Sequence, residues 1–143
     1  MVLQHASISE TITTDQSGYS IRYSEPLSLV EVALNDTVSL NELQLKLSHL
    51  LEVIEDKQPL YLLADTRKFS LLGNEGQKVI RNNFLLPLTT SSVIKFARIT
   101  EPDVFTQAVI DSLLSAVECE TVFGCSMQSF TDRESALDWL YSS

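Results

Sequence analysis

The run LYLLA at residues 60–64 constrains the fold of this 143-residue chain more than any other stretch. It is too short for a stable helix and shows no apolar–polar alternation, so it suits a strand covered on both faces. Helical patterns stand on either side of it in sequence, which is the signature of an α/β layer fold. The longer segment LYLLADTRKFSLLGNEG, residues 60–76, therefore reads as a buried strand, a turn opened by Asp65, and a helix beginning at Asn74, Glu75 and Gly76. Ligands of open α/β sheets gather beyond the carboxyl ends of the strands, so a surface site is expected at this crossing.

The rest of the chain supplies the sheet and its cover. Two short β-like runs, residues 7–14 and 19–23, flank Asp15-Gln16-Ser17-Gly18 and predict an N-terminal hairpin. After Pro26, LSLVEVAL at 27–34 reads as a strand with most side chains covered. Ser39 and Glu42 form a capping box, with Val38 and Leu43 at staple positions. Leu40, Leu43, Leu47, Leu50 and Ile54 then make an apolar helical stripe, with Glu42 and Lys46 paired along its wetter side. Asn74 with Gln77 repeats the box, Val79, Ile80 and Phe84 supply an inner face, and Pro87 is expected to stop that helix near Leu86.

VIKFARI at 93–99 is the next strand, with Lys95 expected to face solvent. A helix over 101–117, lined by Phe105, Val109, Leu113 and Val117, leads to a short strand within 121–130 broken by Gly124. Thr131 and Glu134 cap a closing helix with Ala136, Leu137 and Leu140 inward, and Trp139 covers an edge of the core. Strands and helices at this spacing predict a single domain over 1–143, with 1–6 as a loose terminus. Its mixed, mostly parallel sheet would have about four to six strands and about four helices.

Composition excludes several classes. Apolar residues make up 44% and charged residues 20%, a globular balance. A net charge of −9 disfavours nucleic acid and anionic lipid surfaces. No apolar segment approaches the ~20 residues of a membrane span, so no membrane insertion is expected. The N-terminus lacks the pattern of a signal peptide, which points to the cytoplasm. Cys119 and Cys125 are too few for a disulfide scaffold and read as buried thiols, with a reversible redox pair as the alternative.

Chemistry is sparse. His5 and His49 have no partners in sequence that would build a triad or a zinc site, and no P-loop or dinucleotide fingerprint is present. No catalytic residue, metal ligand or cofactor is assigned. The candidate binding residues are Asp65, Thr66, Arg67 and Lys68 at the strand end and Gly73, Asn74, Glu75 and Gly76 at the helix start. Asp65 is foremost a turn carboxylate accepting backbone N–H groups. The Arg67 fork and the helix-start N–H groups could recognise an anion, but Glu75 opposes this by its own charge. Use of Asp65 as the base of a hydrolase-like enzyme is the remote alternative.

Two local patterns resemble the STAS and SpoIIAA-like domains, the sulfate-transporter and anti-sigma-factor-antagonist family. The first is an apolar strand ending in Asp, Leu62-Leu63-Ala64-Asp65, followed by Phe69-Ser70-Leu71-Leu72 and Gly73-Asn74-Glu75-Gly76, of which the final Gly matches the family. Asn74 and Glu75 stand where the family's antagonists carry a phosphorylated hydroxyl. The second is the C-terminal MQSF-TDRESALDWL, where Phe130, Glu134, Ala136, Trp139 and Leu140 carry the likeness. Together they span about residues 27–141. The resemblance implies a non-enzymatic regulatory module with an unnamed protein partner and no phosphorylatable switch. The alternative is a carrier of a small apolar or lipid-like ligand held between helices and sheet. A filled core would favour the module, and an apolar cavity between helix 75–86 and the sheet the carrier. An open sheet edge from the hairpin leaves room for homodimerisation.

Overall fold

The computed structural model describes residues 10–15, 19–34, 39–67, 73–101 and 125–142. Six strands form one sheet in sequence order: β1 (Glu10–Asp15), β2 (Tyr19–Ser24), β3 (Leu29–Leu34), β4 (Tyr61–Asp65), β5 (Lys95–Ile99) and β6 (Ser126–Phe130). The pairs β1–β2 and β2–β3 are antiparallel, and β3–β4, β4–β5 and β5–β6 are parallel. The N-terminal hairpin and the mostly parallel mixed sheet are therefore as the sequence predicts. The described helical elements are α1 (Leu40–Lys57), α2 (Gly73–Ile80), a π-helical turn (Arg81–Leu85), α3 (Leu86–Leu88) and α4 (Arg133–Leu140).

Period-two alternation along the strands divides the core in two. On one face Ile21, Val30, Val32, Leu62, Ala64 and Phe96 meet the buried side of α1, formed by Leu43, Leu47, Leu50, Val53 and Ile54, together with Phe84, Leu85 and Leu88. On the other, Leu29, Leu63, Ala97 and Ile99 pack with Ala136 and Leu140 of α4. Residues 62 and 63 are both fully buried, one on each face, which is the reason that LYLLA shows no alternation. Burying each such side chain stabilises the fold by about 2 kcal/mol.

The start of α1 is as expected: Ser39 is its N-cap and accepts the Glu42 N–H at 3.2 Å. The Val38 staple lies outside the described residues. The helix ends on Gln58, left-handed at φ 50°, whose N–H reaches Ile54 O at 2.8 Å. His49 is half-buried on α1.

Several expected boundaries move. β3 begins at Leu29 because Leu27 and Ser28 complete a turn over 25–28, with Ser28 at φ 52°. There the Ser28 hydroxyl accepts Leu60 N–H at 2.9 Å and its carbonyl accepts Tyr61 N–H at 3.0 Å, pinning the entry of β4. Asn74 lies inside α2 rather than at its N-cap, since the helix already includes Gly73. Pro87 does not end the helix. The wide turn at 81–85, closed by Leu86 N–H to Arg81 O, comes just before it and relieves the clash a proline ring makes with the preceding turn.

The closing helix is capped by Asp132, not Thr131: its carboxylate accepts Ser135 N–H at 2.8 Å and the Ser135 hydroxyl at 2.9 Å. Lys95 departs furthest from its expected role. It is half-buried, and its ammonium donates to Trp139 O at 2.9 Å and to Ser142 O at 3.0 Å, so it caps the negative end of α4. Trp139 covers the core edge as expected, tilted against Phe130 at 5.7 Å. Of the helix expected over 101–117 only Glu101 is described; its remainder, Cys119 and the strand segment 121–124 lie outside the described residues. Cys125 is buried.

Candidate functional site

The site predicted at the carboxyl end of β4 is tied down by its backbone. Thr66 donates both its N–H and its hydroxyl to Ile99 O, each at 2.9 Å, and Thr100 N–H donates to Phe130 O at 2.8 Å. The ends of β4, β5 and β6 are thereby joined into one rim. Asp65 closes the last turn of that rim as a turn carboxylate, accepting Arg67 N–H at 3.2 Å.

The Arg67 side chain is spent on the same carboxylate. Its Nε donates to Asp65 Oδ1 at 3.0 Å and its Nη2 to Oδ2 at 2.7 Å, a bidentate fork. This hydrogen bonding and the attraction of Asp65 hold the Arg67 guanidinium pKa above its ordinary value, with Glu101 and Asp132 adding to the effect. Both partners are partly exposed, at 42% and 26%, so the pair stabilises the fold by only about 0–1 kcal/mol. The geometry makes a fixed polar edge in which two of the five guanidinium N–H groups serve Asp65, so an anion would have to meet Arg67 beside the chain's own carboxylate.

A second fork stands beside the first. Arg133, in the first turn of α4, donates from Nε and Nη2 to the two oxygens of Glu31 at 3.0 and 2.9 Å. Glu31 hydrogen bonding raises the Arg133 pKa against the opposing effect of burial, and Asp65 contributes across the rim. Asp132 is held below the usual carboxylate range by its hydrogen bonds with Ser135, and then by Arg67. Glu31, Asp65, Glu101 and Asp132 thus share one electrostatic neighbourhood with Arg67 and Arg133. Among the described residues, four carboxylates stand against two guanidiniums there, two negative charges in excess.

On the opposite face of the sheet, Arg98 is buried at 8% exposure and donates to Thr100 Oγ1 at 3.0 Å and Ser129 Oγ at 3.4 Å. A buried charge must be met by such donors and acceptors.

Of the residues singled out in the sequence, Asp65, Thr66 and Arg67 come together as expected. Lys68 lies outside the described residues. Gly73 and Asn74 form the opening of α2, Glu75 is exposed and pairs with Lys78 at 3.8 Å, and Gly76 is buried. Sequence reasoning missed Glu31, Arg98, Asp132 and Arg133. A signal existed for two of them: Glu31 is the lone charge in LSLVEVAL, and Arg98 shares the period-two face of Phe96. Nothing in sequence brings Glu31 to Arg133, which lies 102 residues away. Among the described residues, no three His, Cys, Asp or Glu side chains gather so as to hold a metal ion.

A groove of about 440 Å³ lies at the other end of the sheet, where β4 and β5 begin, lined by residues of α1, α3 and the α3–β5 connection. It is separate from the helix 75–86 and sheet interface, where Phe84 and Leu85 are buried in the core.

No family model matches the chain, and no curated protein sequence does. Its structure is similar to the crystal structure of an uncharacterized protein of the DUF3478 family with a SpoIIAA-like fold, from Shewanella loihica PV-4. The TM-score is 0.54 at 14% sequence identity, and the match covers 90% of this chain and 98% of the other. The fold is therefore SpoIIAA-like, as the two sequence patterns implied.

Proposed function

We propose that the chain is a non-catalytic, cytoplasmic STAS-like module that meets a protein partner through the carboxyl-end rim, residues 65–76 and the exposed side of α2. The observation carrying this reading is the Asp65–Arg67 fork. A base works best as an unpaired carboxylate and an anion hook as an unpaired guanidinium; here the two groups hold each other in a bidentate pair, which weakens both roles and leaves a fixed pair of charges at the surface. What the rim offers a partner is a patterned, rigid set of charges, extended by exposed Glu75 at the start of α2. Such patterns set specificity and encounter rate more than affinity.

Fold likeness alone would not support a function. An apolar carrier would need room between helix 75–86 and the sheet, and Phe84 and Leu85 are packed there instead. No described helix is long and apolar enough to cross a membrane, which is consistent with a module working in water. The test is affinity capture from the native host with the wild-type chain and with the Arg67→Glu, Asn74→Arg double variant. The variant should lose the wild-type partner while keeping the wild-type circular dichroism. Retention of the whole partner set would remove the rim from the reading.

A further inference from the structure

The groove at the opposite end of the sheet has a chemical character distinct from the rim, and its assignment does not depend on the proposal above. Its apolar lining is made by the half-buried Leu51, the buried Ile54 and the exposed Pro87. Its walls carry Glu55, Gln58, Thr90, Ser91 and Ser92.

The hydroxyl protons on these walls are already committed. Thr90 Oγ1 donates to Pro87 O at 3.0 Å, Ser91 Oγ to Leu88 O at 2.7 Å, and Ser92 Oγ to Pro59 O at 2.7 Å. Their oxygens keep lone pairs, although Ser91 also accepts Val93 N–H at 3.2 Å. Glu55 contributes a carboxylate. Gln58 alone among the wall side chains brings N–H donors as well as an acceptor.

The last carbonyls of α3 are already met by the backbone N–H and hydroxyl groups of residues 89–91, and Lys57 at the end of α1 pairs with Asp56 at 3.8 Å, so the charge that lines the groove itself is the Glu55 carboxylate. An apolar lining beside acceptor oxygens and one carboxylate selects a ligand with N–H donors, positive charge and a short hydrocarbon body. The volume suits a small molecule.

We propose that this groove binds a small organic ammonium ion, its alkyl part on Leu51, Ile54 and Pro87 and its ammonium group toward Glu55 and the Thr90–Ser92 oxygens.

The test is titration of the ¹⁵N-labelled full chain with n-hexylammonium chloride, read by amide chemical shifts. Saturable shifts at residues 54–58 and 90–92 are expected. Ammonium chloride, which lacks the apolar body, and sodium hexanoate, which reverses the charge, should leave those amides in place. Glu55→Gln should weaken binding about tenfold by removing the charged acceptor. Thr90→Lys, at an exposed position, should abolish binding by placing a cation in the groove while leaving the remaining spectrum unchanged. Absence of saturation, shifts spread over acidic surface elsewhere, equal shifts with hexanoate, or unchanged affinity in both variants would each overturn the assignment.

Discussion

Replacing Lys95 with Met tests whether α4 is held to the sheet through a charge at its C-terminal end. Methionine keeps the apolar stem and removes all three donors. The ammonium gives Trp139 O a bond at 2.9 Å, Ser142 O one at 3.0 Å and Ser142 Oγ one at 3.3 Å, and stands 5.1 Å from the Trp139 ring centroid. A hydrogen bond from a charged donor is worth about 1.5–3 kcal/mol when well shielded, and a cation–π contact at an exposed site about 0.5–1 kcal/mol. Two of the three acceptors belong to the exposed Ser142, where water replaces the lost donor. The expected loss is therefore about 1–2 kcal/mol, well under the plain sum.

An eight-residue helix has little stability of its own, so the loss should begin at the last turn of α4. Trp139 lies in that turn and is the single tryptophan of the chain, which makes its fluorescence a local reporter. With an m-value of about 2 kcal/mol/M, the urea midpoint should fall by roughly 0.5–1 M. Native emission should shift as the ring loses its neighbour, and Lys95→Arg, which keeps the charge, should lose less. A Lys95→Met midpoint within about 0.1 M of wild type would refute the capping argument and return Lys95 to an ordinary surface role.

Two further predictions concern α4. A double-mutant cycle on Glu31→Gln and Arg133→Met should give a coupling of about 1 kcal/mol, above the usual surface pair because the fork is bidentate and Glu31 is mostly covered; a value near zero would show that this fork adds nothing to the docking of α4. Burial pushes the Tyr141 phenol pKa up, and its hydroxyl donates to Leu27 O at 2.8 Å. Because the folded value is raised, this contribution is complete below about pH 10 and is lost as pH rises through the folded value. Urea midpoints measured from pH 8 upward should decline on the alkaline side in wild type, and Tyr141→Phe should flatten that decline; equal slopes would contradict it.

How much of this was legible in sequence depended on the range of the interaction. Elements governed by local chemistry could be read: the hairpin, the Ser39 cap, the α1 stripe, and the doubly covered strand, although it runs from Tyr61 to Asp65 and leaves Leu60 exposed before it. Errors arose where distant parts of the chain decide. Lys95 alternates with apolar neighbours as a solvent-facing residue would, and only the fold brings it to Trp139 and Ser142. Pro87 is a stop signal unless a π turn precedes it, and the sequence carries no mark of that turn. Adjacent hydroxyl and carboxyl residues at 131 and 132 both suit a cap, and docking of α4 selects Asp132. For the candidate site, the sequence could name candidate residues at a strand end because strand ends build sites in this fold class. The pairing state was not: the Arg67 fork is equally able to bind a partner's carboxylate or the chain's own Asp65, and geometry decides for Asp65.

The central claim is that the carboxyl-end rim is an interaction surface, and comparative affinity capture addresses it most directly. Wild type and Thr90→Lys, altered only at the opposite end of the sheet, should recover the same partner. The Arg67→Glu, Asn74→Arg variant, equally folded, should recover none of it. Equal recovery by all three chains would contradict the account.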